Sequence, residues 1–221
     1  DFGGGALYLA MGVLAALFER RSSGLGQVVD AAMVDGAASL MAMTYEMRAR
    51  GLWVDRRTAN LLDGAAPFYR TYRTSDERYV AVGAIEPQFY AELLDRLGLD
   101  SSELPAQLDV AAWPAMRDRF AAIFASGTRD HWVEVFTGSD ACVAPVMSLD
   151  EAPRHPHMAA RETFIEVDGA TVPGPAPRFG RSRTAAPQPA PLPGGDTDEL
   201  LAELGYAAET VAGMRAAGVV G

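Results

Sequence analysis

A chain of 221 residues, 49% hydrophobic and 22% charged, is long enough for one or two domains with a proper core and has an ordinary globular composition. Its formal net charge of −10 argues against a nucleic-acid surface; the basic clusters at Arg20-Arg21, Arg56-Arg57 and Arg178 to Arg183 are short and interrupted, and read as solvated surface or as contacts for an anionic cofactor. The single Cys142 excludes an intramolecular disulfide, fits a reducing cytoplasm and reads as a small buried hydrophobe.

Asp1 stands before a glycine turn, Phe2-Gly3-Gly4-Gly5, that opens an apolar helix. Asp is a preferred N-cap, and the helix start offers unpaired N–H groups and a partial positive charge. Two readings stand: an ordinary cap, or a carboxylate set beside a developing oxyanion. The opening reads as the interior of a longer protein. The first helix spans 4–20 and stops at Ser22-Ser23-Gly24-Leu25-Gly26. Residues 2–18 form the longest apolar run, short for a membrane span and too glycine-rich for a secretory core, so a buried helix is expected. Residues 27–31 read as a short buried strand, and 33–50 as a second helix closed by Gly51. Met33, Leu40, Met41, Met43 and Met47 give that helix either a soft core filling or a flexible apolar wall for an acyl chain.

A polar, turn-rich connector covers 51–66. A hairpin follows, with strands 68–74 and 78–83 about a turn at Ser75-Asp76-Glu77, supported by the alternation in Arg78-Tyr79-Val80-Ala81-Val82. Pro87 suits the first turn of a helix to about residue 97. Helices are expected over 113–125 and 128–136, strands over 142–147 and 163–167, and a return segment over 153–163. The proline-rich stretch 173–193 is read as an extended connector, because proline suits neither a helix interior nor a central strand. Two tail helices, 196–204 and 207–217, stop at Gly205 and Gly218. No repeat of solenoid period is visible, and the C-terminal Val219-Val220-Gly221 carries no peroxisomal or lipidation signal.

Most candidate motifs fail on chemistry. His155-Pro156-His157 has proline between its imidazoles and no nearby cysteine or ordered carboxylate set, so no metal site is expected. Gly3, Gly4, Gly5 and Gly12 follow no strand and make no dinucleotide fingerprint. His131 reads as a surface or capping residue, and no Ser or Cys nucleophile elbow is present. Glu86 is different: it follows an apolar strand end and Ile85, and precedes Pro87. It is either a helix cap or a partly desolvated carboxylate suited to proton transfer.

Three segments carry a resemblance: Asp1-Phe2-Gly3-Gly4-Gly5; Ser23-Gly24-Leu25-Gly26-Gln27-Val28-Val29-Asp30-Ala31-Ala32-Met33; and Val82-Gly83-Ala84-Ile85-Glu86-Pro87-Gln88-Phe89-Tyr90. Together they resemble the alpha-methylacyl-CoA racemases of the class III CoA-transferase superfamily, over essentially the whole chain. The second segment is common to transferases. The third favours racemases, because transferases typically carry a glycine-rich loop at that junction. The resemblance implies an α/β fold, with a large Rossmann-like CoA-binding domain mostly upstream, a smaller α+β domain and an interlocked homodimer. On that basis residues 1–50 end the large domain, 51–66 connect, 67–170 form the small domain, 171–193 connect back, and 194–221 are helices returning to the large domain.

The same resemblance implies a racemase of fatty-acid metabolism that inverts the α carbon of 2-methylacyl-CoA thioesters by 1,1-proton transfer. Asp1 and Glu86 match the family's catalytic carboxylates, and the catalytic histidine lies upstream, matched by none of His131, His155 or His157. Met33, Leu62, Tyr69, Ile85 and Pro87 match the acyl-side wall, although Tyr69 reads equally as a strand core aromatic. No metal and no cofactor are implied, CoA being part of the substrate. Acyl-CoA and a second copy of the chain are the expected partners, with no nucleic acid or membrane, in the cytoplasm. Two alternatives are carried: a CoA-transferase in which Asp1 is the acyl-accepting nucleophile, and a non-catalytic acyl-CoA-binding fragment.

Overall fold

The computed structural model describes residues 1–182 and 184–221, so Arg183 of the basic cluster lies outside the described residues. The chain divides into two compact units, residues 1–146 and 147–221.

The first unit opens with a π-helical turn, Phe2–Leu7, that runs into α1, Tyr8–Ser23. Gly24, at a φ of 75°, ends α1 in the left-handed conformation that glycine adopts without strain. The expected burial of this helix is not found: α1 buries none of its residues, and Leu7, Met11, Leu14 and Phe18 form an exposed apolar stripe. By length and composition Phe2–Ser23 would also cross a membrane, a test that a core helix of a soluble protein passes equally. Residues 27–31 form no strand. No strand of the described residues runs beside them to supply a ladder, and Val28 is 94% exposed.

The helix expected over 33–50 is two, α2 (Met33–Leu40) and α3 (Ala42–Ala49), broken where Met41 relaxes to ψ 4°. Gly51 does close α3: its N–H and that of Leu52 donate to the carbonyls of Arg48 and Met47, a left-handed cap. Met33, Met41 and Met43 are exposed in this chain and fill no core here.

The core of this unit lies under a three-stranded antiparallel sheet in the order β1 (Tyr69–Arg73), β2 (Tyr79–Gly83), β3 (Val143–Pro145). The hairpin forms where alternation placed it, pairing Tyr69 with Gly83 and Arg73 with Tyr79. Its loop turns through Glu77 at a φ of 62°. Period-two alternation sends Tyr72, Val80 and Val82 into the core. Helices α4 (Pro87–Arg96), α5 (Trp113–Phe124) and α6 (Arg129–Phe136) supply Leu93, Phe120, Phe124 and Trp132 to the same cluster. Phe68 meets Tyr90 and Trp113 edge-on, with ring centroids at 5.5 and 5.9 Å, a favoured aromatic geometry. Thr128 caps α6 by accepting the His131 N–H, so His131 contributes only its backbone to the cap.

In the second unit, α7 (Pro156–Ala160) precedes a hairpin of β4 (Phe164–Val167) and β5 (Ala170–Pro173). Strand β5 was not anticipated. The His155 ring caps α7 by accepting the His157 N–H, which gives the His-Pro-His motif a structural role. Among the described residues, 174–192 hold no helix or strand, and the tail helices α8 (Thr197–Glu203) and α9 (Ala208–Ala216) form as expected.

Candidate active site

Asp1 occupies the N-cap position of the π turn, but its carboxylate makes no capping hydrogen bond. The turn is wide because the Asp1 carbonyl accepts both the Gly5 N–H at 3.0 Å and the Ala6 N–H at 2.8 Å. Its glycines let it lie backbone to backbone on α2. A Cβ on Gly36 would stand 1.8 Å from the Gly4 carbonyl oxygen, and one on Gly5 would stand 3.0 Å from Met33 Cγ. Tyr8 adds a hydrogen bond from its hydroxyl to Ser39 Oγ at 2.9 Å. Met33 therefore packs against Gly5, one turn from Asp1.

Glu86 stands at the N-cap of α4 in extended conformation and, like Asp1, makes no capping bond. Its side chain is exposed and enters no ion pair or hydrogen bond among the described residues. Ile85, half-buried, packs against the core, and Pro87 begins α4 exposed to solvent.

Leu62 and Tyr69 line a cavity of about 620 Å³ on the outer face of the sheet. Its floor is made by the cross-strand neighbours Thr71, Ala81, Gly83 and Ala144, whose small side chains leave the space open. Tyr69 is thus on the cavity face and not in the strand core. Leu62 is held over the floor by a loop stapled through Asn60 and Asp63. The buried Asn60 side chain exchanges hydrogen bonds with the Val54 backbone, at 2.7 and 2.9 Å, and Asp63 accepts the N–H groups of Ala59, Asn60 and Ala65.

Cys142 also lines this cavity, and here the expectation of a buried cysteine fails. Ala141 takes the core position, and a φ of 53° at Cys142 turns its side chain out onto the open face. Although exposed, the Cys142 thiol is partly desolvated by its neighbours, which pushes its pKa up, and the charges of Glu86, Asp140 and Glu92 push it further.

The expected site residues thus fall into three groups: Asp1 with Met33, Glu86 with Ile85 and Pro87, and Leu62 with Tyr69. No hydrogen bond or ion pair joins Asp1 to Glu86 among the described residues. Among those residues no three His, Cys, Asp or Glu side chains gather as a metal site would require. Asn60 and Asp63 were missed in the sequence, although polar, turn-rich composition did mark their segment.

The model of CoA-transferase family III matches residues 1–197. A Mus musculus protein named alpha-methylacyl-CoA racemase is 48% identical over 214 residues, covering 96% of this chain and 56% of its own length. The Homo sapiens protein of that name is 44% identical over the same shares. The solved structure of a CaiB/BaiF family protein from Brucella suis matches with a TM-score of 0.71 at 20% identity, covering 91% of this chain and 54% of that one. That likeness concerns the fold. The chain spans about half the length of the curated relatives it matches.

Proposed function

Because the chain belongs to CoA-transferase family III, we propose that its full-length protein is a racemase inverting the α carbon of 2-methylacyl-CoA thioesters through an enolate. The observation that carries this reading is that Asp1 and Glu86 both sit at helix N-caps and neither caps. A capping Asp typically contributes about 0.5–2 kcal/mol, so Asp1 forgoes that stability, and both positions leave a carboxylate free. The identity to proteins named for this reaction supports it further.

In this mechanism Asp1 exchanges a proton on one face of the α carbon. A histidine upstream, oriented by Glu86, serves the other face. Proton transfer by positioned groups supplies typically ~10²–10⁴-fold, so stabilisation of the enolate oxygen must carry much of the rest. A helix dipole gives about 0.3–1 kcal/mol, whereas an aimed backbone donor is worth roughly 2.7–4 kcal/mol. The Asp1 N–H, ahead of the first intrahelical bond, is the donor assigned to that oxygen. Met33, Leu62, Tyr69, Ile85 and Pro87 form the acyl wall. The reaction needs no metal or added cofactor. It proceeds in the cytoplasm on an interlocked homodimer whose partners are acyl-CoA and a second copy, without nucleic acid or membrane.

A second reading keeps the same free Asp1 carboxylate, but as a nucleophile that takes the acyl group from CoA in a mixed anhydride. The family's name favours it. A third, non-catalytic acyl-CoA binding, draws on the chain's partial span of its relatives. Solvent-deuterium exchange separates them. The racemase exchanges the α hydrogen of a 2-methylacyl-CoA with no acyl acceptor present and leaves no hydroxylamine-trappable adduct. Acceptor-dependent CoA transfer without α-deuterium uptake would establish the transferase, and binding with neither activity the third reading.

A further inference from the structure

Gln107 belongs to no motif, yet its side chain holds the turn that presents Glu86. Its Nε2 donates to the Ala84 carbonyl at 3.2 Å and to the Ile85 carbonyl at 2.8 Å, the two carbonyls immediately before Glu86. These groups follow the end of β2 and have left its ladder, and Ala84 is fully buried, so its carbonyl needs a partner inside the protein. The amide is itself anchored. The Gln107 backbone carbonyl accepts the Trp113 indole N–H at 2.9 Å, and Trp113 is buried edge-on against Phe68. The Ile85 N–H turns back onto the Gly83 carbonyl at 3.0 Å and tightens the bend. Since the Glu86 carboxylate has no hydrogen bond of its own, this backbone is what sets the Cα from which it extends.

We infer that Gln107 is a positioning residue for Glu86: its amide clamps the Ala84 and Ile85 carbonyls and thereby fixes the backbone from which the carboxylate reaches into the site. The inference rests on the reading of Glu86 as the orienting carboxylate of the racemase. Glutamine suits the task because one nitrogen carries two N–H donors for two successive carbonyls; an ionised glutamate of the same shape has none.

The test uses full-length protein, 2-methylacyl-CoA and α-deuterium exchange, with Gln107→Met made both alone and in the Glu86→Gln background. Gln107→Met lowers kcat about ten-fold and moves KM less than about two-fold. In the Glu86→Gln background the same change costs less than about two-fold, because the group it positions is already disabled. Gln107→Glu provides a second arm that needs no comparison between folded and unfolded variants. Ionised, it faces two carbonyls with no donor; protonated, it donates to one, so its kcat relative to wild type rises as the pH falls from about 8 to about 5.5. Equal losses in both backgrounds, or a pH-independent Gln107→Glu ratio, would overturn the inference alone. Wild-type turnover by Glu86→Gln would overturn the functional reading and this inference with it.

Discussion

Asp63 is worth more to the cavity than its position on a loop suggests. Burial pushes its carboxyl pKa up, but hydrogen bonds from Ala59, Asn60 and Ala65 outweigh that and hold it below the usual carboxylate range. A depressed folded pKa means stability that is present above the unfolded value of about 3.9 and lost as the pH falls through the folded one. Asp63→Asn is therefore expected to cost about 1 kcal/mol at neutral pH, with the difference closing in acid; urea unfolding at about pH 7 and about pH 3 checks it. Tyr72 behaves oppositely. Burial holds its phenol protonated far above the ordinary range, and its hydroxyl donates to the Pro67 carbonyl at 2.6 Å. Tyr72→Phe leaves that carbonyl unpaired and should cost about 1 kcal/mol, equally at about pH 6 and about pH 9, since the phenol is neutral throughout. A scan by thermal unfolding would read this directly. At this scale the sequence exposed Asp1 and Glu86 as carboxylates at helix entries. It hid that neither caps, because that depends on where each side chain points. Gln107 and Asn60 were hidden for the related reason that their partners, apart from the Asp63 carboxylate that Asn60 also donates to, are backbone groups, which carry no residue signature.

The element that places Asp1 is the contact between the π turn and α2, where glycine meets glycine. Gly36→Ala would put a methyl group 1.8 Å from the Gly4 carbonyl oxygen, so the turn must lift off α2. Overpacking of this kind costs typically about 1–3 kcal/mol, and it should displace Asp1 enough to lower turnover in the full-length protein. Gly26→Ala is the control: a Cβ there meets nothing within 4 Å, so stability should change by less than about 0.5 kcal/mol. Equal thermal shifts for the two variants would remove the glycine contact from the account. Elements whose causes are local were legible. The hairpin announced itself by alternation, α4 by Pro87, and α3's end by Gly51. The break at Met41 has no such cause, since neither glycine nor proline stands there, and its N–H is simply shared between the Ala37 and Ala38 carbonyls. The strand expected over 27–31 had the right composition, but a strand exists only with a neighbour to pair with, and that is a property of more than one segment.

For the molecule as a whole, the apolar stripe of Leu7, Met11, Leu14 and Phe18 is the feature that most needs the rest of the protein. Positions four, three and four residues apart share one helix face, and all are exposed in this chain. The chain spans 56% of the length of its racemase relatives, and under the proposed homodimeric reading this face is expected to be covered in the full-length protein. Burying a leucine side chain contributes about 1.5–3 kcal/mol, and a carboxylate in its place must be desolvated without a partner. Leu14→Asp in full-length protein should therefore lower the thermal midpoint markedly and shift light scattering away from a dimer. Glu19→Gln, near the polar end of the same helix, should leave both unchanged. Flotation with phospholipid vesicles completes the test, because the same helix has the length and composition to cross a membrane. Cofractionation of wild-type protein with vesicles, or a Leu14→Asp protein with unaltered midpoint and mass, would show that the stripe is not covered by the protein's own surfaces.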